Sequence, residues 1–175
     1  MAAEAGQIQA AASSAKILIS ACLIGQRVRY DGGHQRRQHP LISAWQGCGR
    51  LVPCCPEVLG GLPIPRPPAE INGGDGGHVL RGEATVNTAA GADVTPAFLM
   101  GAEASLALAR SHAIRVAILC QRSPSCGSRQ IYNGRFEGVL IPGVGVTAAL
   151  LRADGIAVFG PEEIDAAARR LDAAC

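Results

Sequence analysis

The chain has 175 residues, of which 48% are hydrophobic and 17% charged, and its formal charge is +2. That length suits one domain with a substantial core, and the apolar content excludes a disordered chain. So balanced a charge, with no concentrated basic run, excludes an electrostatic nucleic-acid binder.

Met1–Ala15 is rich in Ala, Ser and Gln and has neither the basic nor the apolar region of a signal peptide. It reads as a disordered extension in front of a domain spanning residues 16–175. KILISAC, from Lys16, is a short apolar run typical of a buried strand. Pro40–Trp45 predicts a short helix ended near Gly47, and Arg50–Cys54 a second, weaker strand. Leu59–Asp75 is so dense in Gly and Pro that it reads as a loop without regular structure. Val79–Leu80 and Ala84–Asn87 flank Gly82 and predict a small hairpin.

Thr95–His112 has a helical apolar repeat at Leu99, Ala102, Leu106 and Ala109, with Thr95 as the expected cap and Pro96 in the first turn. RVAILC, Arg115–Cys120, follows as a strand; then come a loop over Gln121–Arg129 and a short ladder from Gln130 to Leu140. Val146–Arg152 predicts a helix, Ile156–Phe159 a strand, and Pro161–Ala173 an amphipathic helix with acidic Glu162, Glu163 and Asp165 in its first turn. Strands alternating with helices predict an α/β fold. The expected architecture is one Rossmann-like domain, with a mostly parallel sheet, helices on both faces and a small β-hairpin insertion. With no run of about 20 apolar residues a membrane span is not expected, and the chain reads as cytoplasmic, where thiols stay reduced.

Seven cysteines are therefore unusual, and none is spaced as C-x-x-C. Cys22 lies just past the first strand, Cys55 just past the second, and Cys126 in the loop after RVAILC. In an open parallel sheet all strand ends share one edge, where ligands bind, so these three thiols are expected to converge. Cys48 and Cys120 read as packing residues, and Cys175 as a free thiol. Cys54 and Cys55 are adjacent in an extended segment, so only one of the two faces the shared edge. Glu57, two residues after Cys55, is the carboxylate that sequence attaches to this edge, placed to carry protons.

Three thiols without a nearby His favour a soft centre. An iron–sulfur cluster on three cysteines leaves one iron open, and an open position marks a catalytic site. Two other readings stay open at this level: a persulfide-based sulfur carrier, and a zinc-stabilised binding module. Arg29, Tyr30 and Asp31, one loop after Cys22, are candidates for contact with a polar heterocycle, or form a solvated turn before Gly32–Gly33. Arg66 and Glu70 either face the same cleft or pair with each other. Gly143–Ala148 imitates a dinucleotide fingerprint, but it reads as a tight turn and a helix N-terminus, fit at most for an anion.

SACLIGQRVRYDGG, VPCCPEVLGGLPIPRPPAE and SPSCG occur in this order. Over residues from about Lys16 to about Glu163, this pattern resembles the thiouracil desulfidase family. The resemblance implies a 4Fe–4S cluster on Cys22, Cys55 and Cys126, with Glu57 as catalytic acid or base and Ser123 as its assisting hydroxyl. It implies non-redox removal of sulfur from a small thiolated pyrimidine, giving uracil and hydrosulfide. Cys54 stands where the family more often has an apolar residue.

Overall fold

The computed structural model describes residues 15–172. The expected extension, apart from Ala15, and the Cys175 thiol lie outside them. The first strand, β1 (Ile17–Ser20), is buried at every residue, and a 3-10 turn over Ala21–Ile24 follows it directly. Gly25 ends that turn with φ +98°, a left-handed conformation that glycine adopts without a Cβ clash. α1 (Pro40–Gly47) starts at Pro40, with the His39 ring accepting the Leu41 N–H as its cap. β2 (Leu51–Cys54) runs into the one-turn helix α2 (Pro56–Leu59).

β1 pairs in parallel with β2 on one side and with β5 (Val116–Ile118) on the other, and β5 pairs in parallel with β8 (Ala157–Phe159). The strand order is β2-β1-β5-β8. All residues of β1 and β5 are buried, and side chains alternate between faces along a strand, so both faces of the sheet are covered. One core holds the sheet with Ile42 and Trp45 of α1, Leu106 and Ala109 of α4 (Thr95–Ser111), Leu151 of α5 (Val146–Ala153), and Ala167 and Leu171 of α6 (Ile164–Asp172).

A second core joins the insertion to α4. β3 (Ala69–Asn72) and β4 (Thr85–Thr88) pair antiparallel and enclose the short helix α3 (Gly76–Leu80). Ile71, Val79 and Val86 of this unit pack with Phe98, Ala102, Ile131 and Val146. Of the two strands expected in the hairpin, Ala84–Asn87 is present as β4, and Val79–Leu80 is not a strand. Val79 and Leu80 are helical, because Asp75 and His78 form a reciprocal cap around the first turn. The partner of β4 is β3, which lies inside the stretch read as a loop; α2 also begins just before that stretch and runs into it. Four residues between Pro and Gly clusters carry too little periodicity to show as a strand.

Thr95 does not cap α4. Its hydroxyl accepts the Val86 N–H at 2.8 Å and ties the helix start to β4, while Asp93 accepts the Thr95 N–H at 2.9 Å. α6 starts at Ile164 rather than Pro161, so of the three acids only Asp165 lies in its first turn. Glu162 pairs with Arg37 at 2.7 Å, and Glu163 pairs with Arg129. The predicted ladder is present as β6 (Gln130–Tyr132) and β7 (Leu140–Pro142), which pair antiparallel. Among the described residues no helix is long and apolar enough to cross a membrane.

α5 is seated by backbone contact. Gly145, just before it, lies so close to the Ser125–Cys126 peptide that an added Cβ would collide with the Ser125 carbonyl. A methyl inserted into such a contact costs about 1–3 kcal/mol. Gly145→Ala is expected to lower the melting temperature accordingly. Gly47→Ala, where a Cβ meets nothing within 4 Å, is expected to leave it unchanged or raise it. Thermal melts followed by circular dichroism compare the two; equal melting temperatures would contradict the tight seat of the Cys126 loop.

Candidate active site

Parallel pairing sets where the thiols stand. Ser20 is level with Cys54, and Ile19 with Ile118, so the segments leaving β1, β2 and β5 emerge at the same edge. The chain crosses from β1 to β2 on one side and reaches β5 on the other. The crevice outside the ends of β1 and β5 is therefore the switch point at which open α/β sheets bind ligands. A cavity of about 480 Å³ lies there, within the range of small-molecule sites. Cys22 of the 3-10 turn, Cys55 at the start of α2, and Cys126 after β5 all line it, as do Glu57 and Ser123. All six cysteines among the described residues are free thiols.

Contrary to the expectation that only one of the pair faces this edge, Cys54 and Cys55 both line the cavity, but in different surroundings. The Cys54 thiol is buried against α4, 3.2 Å from the Ser105 hydroxyl. Burial raises it to about 11, against the opposing effect of that hydrogen bond. The Cys55 thiol is only half-buried, 3.8 Å from the Val28 carbonyl, and burial raises it too. The Cys126 thiol is pushed well up by burial. The Cys22 thiol is raised by its hydrogen bond to Cys120, with burial adding to the effect. That same bond lowers Cys120, assisted by the Arg29 guanidinium. Burial thus disfavours the thiolate form at Cys22, Cys55 and Cys126, and a bound cation would favour it.

The loop carrying Cys126 is fixed from two sides. The Ser123 hydroxyl accepts the N–H of Ser125 at 3.0 Å and of Cys126 at 3.2 Å. The first amides of α5 donate to the same loop: Val146 to the Pro124 carbonyl, and Thr147 and Ala148 to that of Ser125. Those N–H groups are engaged by the loop, so Gly143–Ala148 is the tight turn and helix N-terminus read from sequence, with these amides not offered to an anion. Gly145 serves close backbone approach to Ser125 and Cys126.

Glu57 sits in the first turn of α2. Arg66 reaches its Oε2 through both Nε and Nη2, each at 2.6 Å. The two side chains are 15% and 5% exposed. Arg66 also donates to the carbonyls of Pro63 and Val28, so its guanidinium is anchored on three sides. The other oxygen, Oε1, faces the hydroxyls of Ser123 and Ser125, each at 3.4 Å. One carboxylate oxygen is thus tied, and the other is turned to the Cys126 loop.

Arg29 and Tyr30 line the cavity; Arg29 lies over the Tyr30 ring, 5.6 Å from its centroid. Asp31 does not line it: its side chain is half-exposed, closes the turn at Gly33, and stands 3.8 Å from Arg29 Nε. Arg66 and Glu70 both face the cavity but are not paired with each other, since Arg66 takes Glu57 and Glu70 accepts the Phe136 N–H. Cys120, read from sequence as a packing residue, is buried yet lines the cavity, donating to the side-chain amide oxygen Oε1 of Gln35 at 3.0 Å. Its position two residues past Ile118 was the available signal. Phe136 was overlooked, and its position in an irregular bend offered none.

Among the described residues no three His, Cys, Asp or Glu side chains converge on a point where one metal ion would sit. The thiols line a cavity wall instead. That donor set, sulfur without imidazole, fits an iron–sulfur cluster.

A family model described as 2-thiouracil desulfurase matches residues 17–163. The protein YbbK of Bacillus subtilis (strain 168) is 46% identical over 149 residues, covering 85% of this chain and 97% of YbbK. The solved structure of the [4Fe-4S]-dependent thiouracil desulfidase TudS superposes with a TM-score of 0.83 at 47% identity, covering 90% of this chain and 98% of that one. With a match that spans nearly the whole fold and every segment lining the thiol cavity, the chain belongs to the 2-thiouracil desulfurase family.

Proposed function

We propose that the protein removes sulfur from a small thiolated pyrimidine such as 2-thiouracil, using a 4Fe–4S cluster held by Cys22, Cys55 and Cys126. The observation that carries this reading is the convergence of those three thiols and the Glu57 carboxylate on one cavity. The solved relative at 47% identity, a [4Fe-4S]-dependent thiouracil desulfidase, supports it. A cluster on three cysteines keeps one iron free of protein ligands, and that iron supplies Lewis acidity toward the thiocarbonyl sulfur.

The reaction balances without electron transfer: thiouracil and water give uracil and hydrogen sulfide, as a carbon–oxygen bond forms and the carbon–sulfur bond breaks. Glu57 takes the proton of the attacking water on Oε1, the oxygen that Arg66 leaves untied, and returns it as the sulfur departs. Ser123 holds Oε1 and, through its two backbone contacts, keeps that oxygen in register with the Cys126 loop. Arg29 and Tyr30 hold the heterocycle. Asp31 acts at one remove, by orienting Arg29. Cys54, engaged by Ser105, stays out of the ligand set.

Anaerobically purified protein is expected to release hydrosulfide from 2-thiouracil in step with uracil. Glu57→Gln keeps the visible spectrum of the cluster and loses on the order of 100-fold or more in rate. Full turnover by that variant would remove Glu57 from the chemistry. Ser123→Ala is expected to slow the reaction roughly tenfold, the worth of about one good hydrogen bond. An unchanged rate would assign Ser123 to the loop alone.

A further inference from the structure

Phe136 stands at the bend between β6 and β7, with φ +56°, a region that a bulky side chain rarely occupies. Gly134 and Gly138 on either side also take positive φ, and a glycine would suit position 136 equally well. The aromatic residue is held there from outside. Its N–H donates to Oε2 of Glu70 at 3.0 Å, and Glu70, on β3, is only 8% exposed. Gly134 rests directly on the Ile71 carbonyl, where a Cβ would collide. Two contacts thus pin the bend to β3.

The ring so held is not used for core packing. Phe98 is buried and Phe159 packs on the sheet core, but Phe136 belongs to neither core and is 37% exposed. It lines the cavity. A strained aromatic that packs in no core and faces a ligand cavity points to function. Tyr30, the other exposed ring there, already has the Arg29 guanidinium over it.

We propose that Phe136 is a specificity-determining residue whose ring supplies a stacking face for a planar heterocycle, with Glu70 as the positioning residue that holds it at the cavity. This rests on the thiopyrimidine reading above. The hydrogen-bonding groups of the cavity address the edges of such a ring, and an apolar aromatic addresses its face.

Steady-state kinetics of the anaerobic holoenzyme with 2-thiouracil, and inhibition by uracil, test it. Phe136→Ala is expected to raise both KM and the uracil inhibition constant on the order of tenfold, with kcat nearly unchanged; Phe136→Tyr stays near wild type. Phe136→Leu, which keeps bulk without a π face, also raises KM, and replaces the alanine variant should that fail to fold. Glu70→Ala raises KM in the wild-type background and adds nothing in the F136A background, as coupled residues behave. A full Glu70→Ala effect persisting beside F136A would make Glu70 merely structural. Wild-type KM and inhibition constant in F136A or F136L would overturn the role of Phe136, while the proposed function stands. A wild-type protein that releases no hydrosulfide would take both down.

Discussion

β1 is hydrogen-bonded in parallel on both sides, with Ser20 level with Cys54 and Ile19 level with Ile118. That register brings the Cys22, Cys55 and Cys126 segments to one edge. It also demands burial, since a central parallel strand has covered faces and no solvent-facing alternation. A slip of one residue would turn Ile17 and Ile19 to the opposite face and move the chain beyond Ser20 out of line with Cys55. The Ser20 hydroxyl reinforces the register by accepting the Cys120 N–H at 2.9 Å, just where the strands end.

On this edge the fold arranges charge at a cost. Arg66 and Glu57 are largely buried, and a buried ion pair adds little net stability because both groups are desolvated. Removing one partner is what is expensive. The pair is better understood as a positional device: the Pro63 and Val28 carbonyls hold Arg66, and one Glu57 oxygen is left facing the Ser123 and Ser125 hydroxyls of the Cys126 loop. The Cys22 and Cys126 thiols are disfavoured as anions by burial and by neighbouring thiols. The same low-dielectric cavity strengthens their attraction to a cationic centre.

Much of this was legible in the sequence. KILIS and RVAIL are β-branched and leucine runs too apolar for a surface, and they are the two buried inner strands. Convergence of Cys22, Cys55 and Cys126 followed from strand ends alone. What was not legible depends on distant partners. α3 is nucleated by the Asp75–His78 cap despite its two glycines, and β3 is a strand only because β4 lies beside it. Arg66 chooses Glu57 over nearby Glu70 because Val28 and Pro63 anchor its guanidinium. Gly143–Ala148 imitates a dinucleotide fingerprint by local pattern, yet Gly145 serves close contact with the Cys126 loop and Gly143 lies against Ile131 and Asp75, which no local pattern reveals.

The central claim is that three of the five thiols at this edge carry the cluster. Iron and acid-labile sulfide, measured per chain after anaerobic purification and reconstitution, test it most directly. The account predicts about four of each in the wild-type protein, following from a 4Fe–4S centre. Cys54→Ala and Cys120→Ala retain them, and Cys22→Ala, Cys55→Ala and Cys126→Ala each lose most of both. Iron and sulfide retained in any of the last three variants, or lost in Cys54→Ala while Cys55→Ala keeps them, would contradict the assignment. Iron near zero in the reconstituted wild type would contradict the account as a whole.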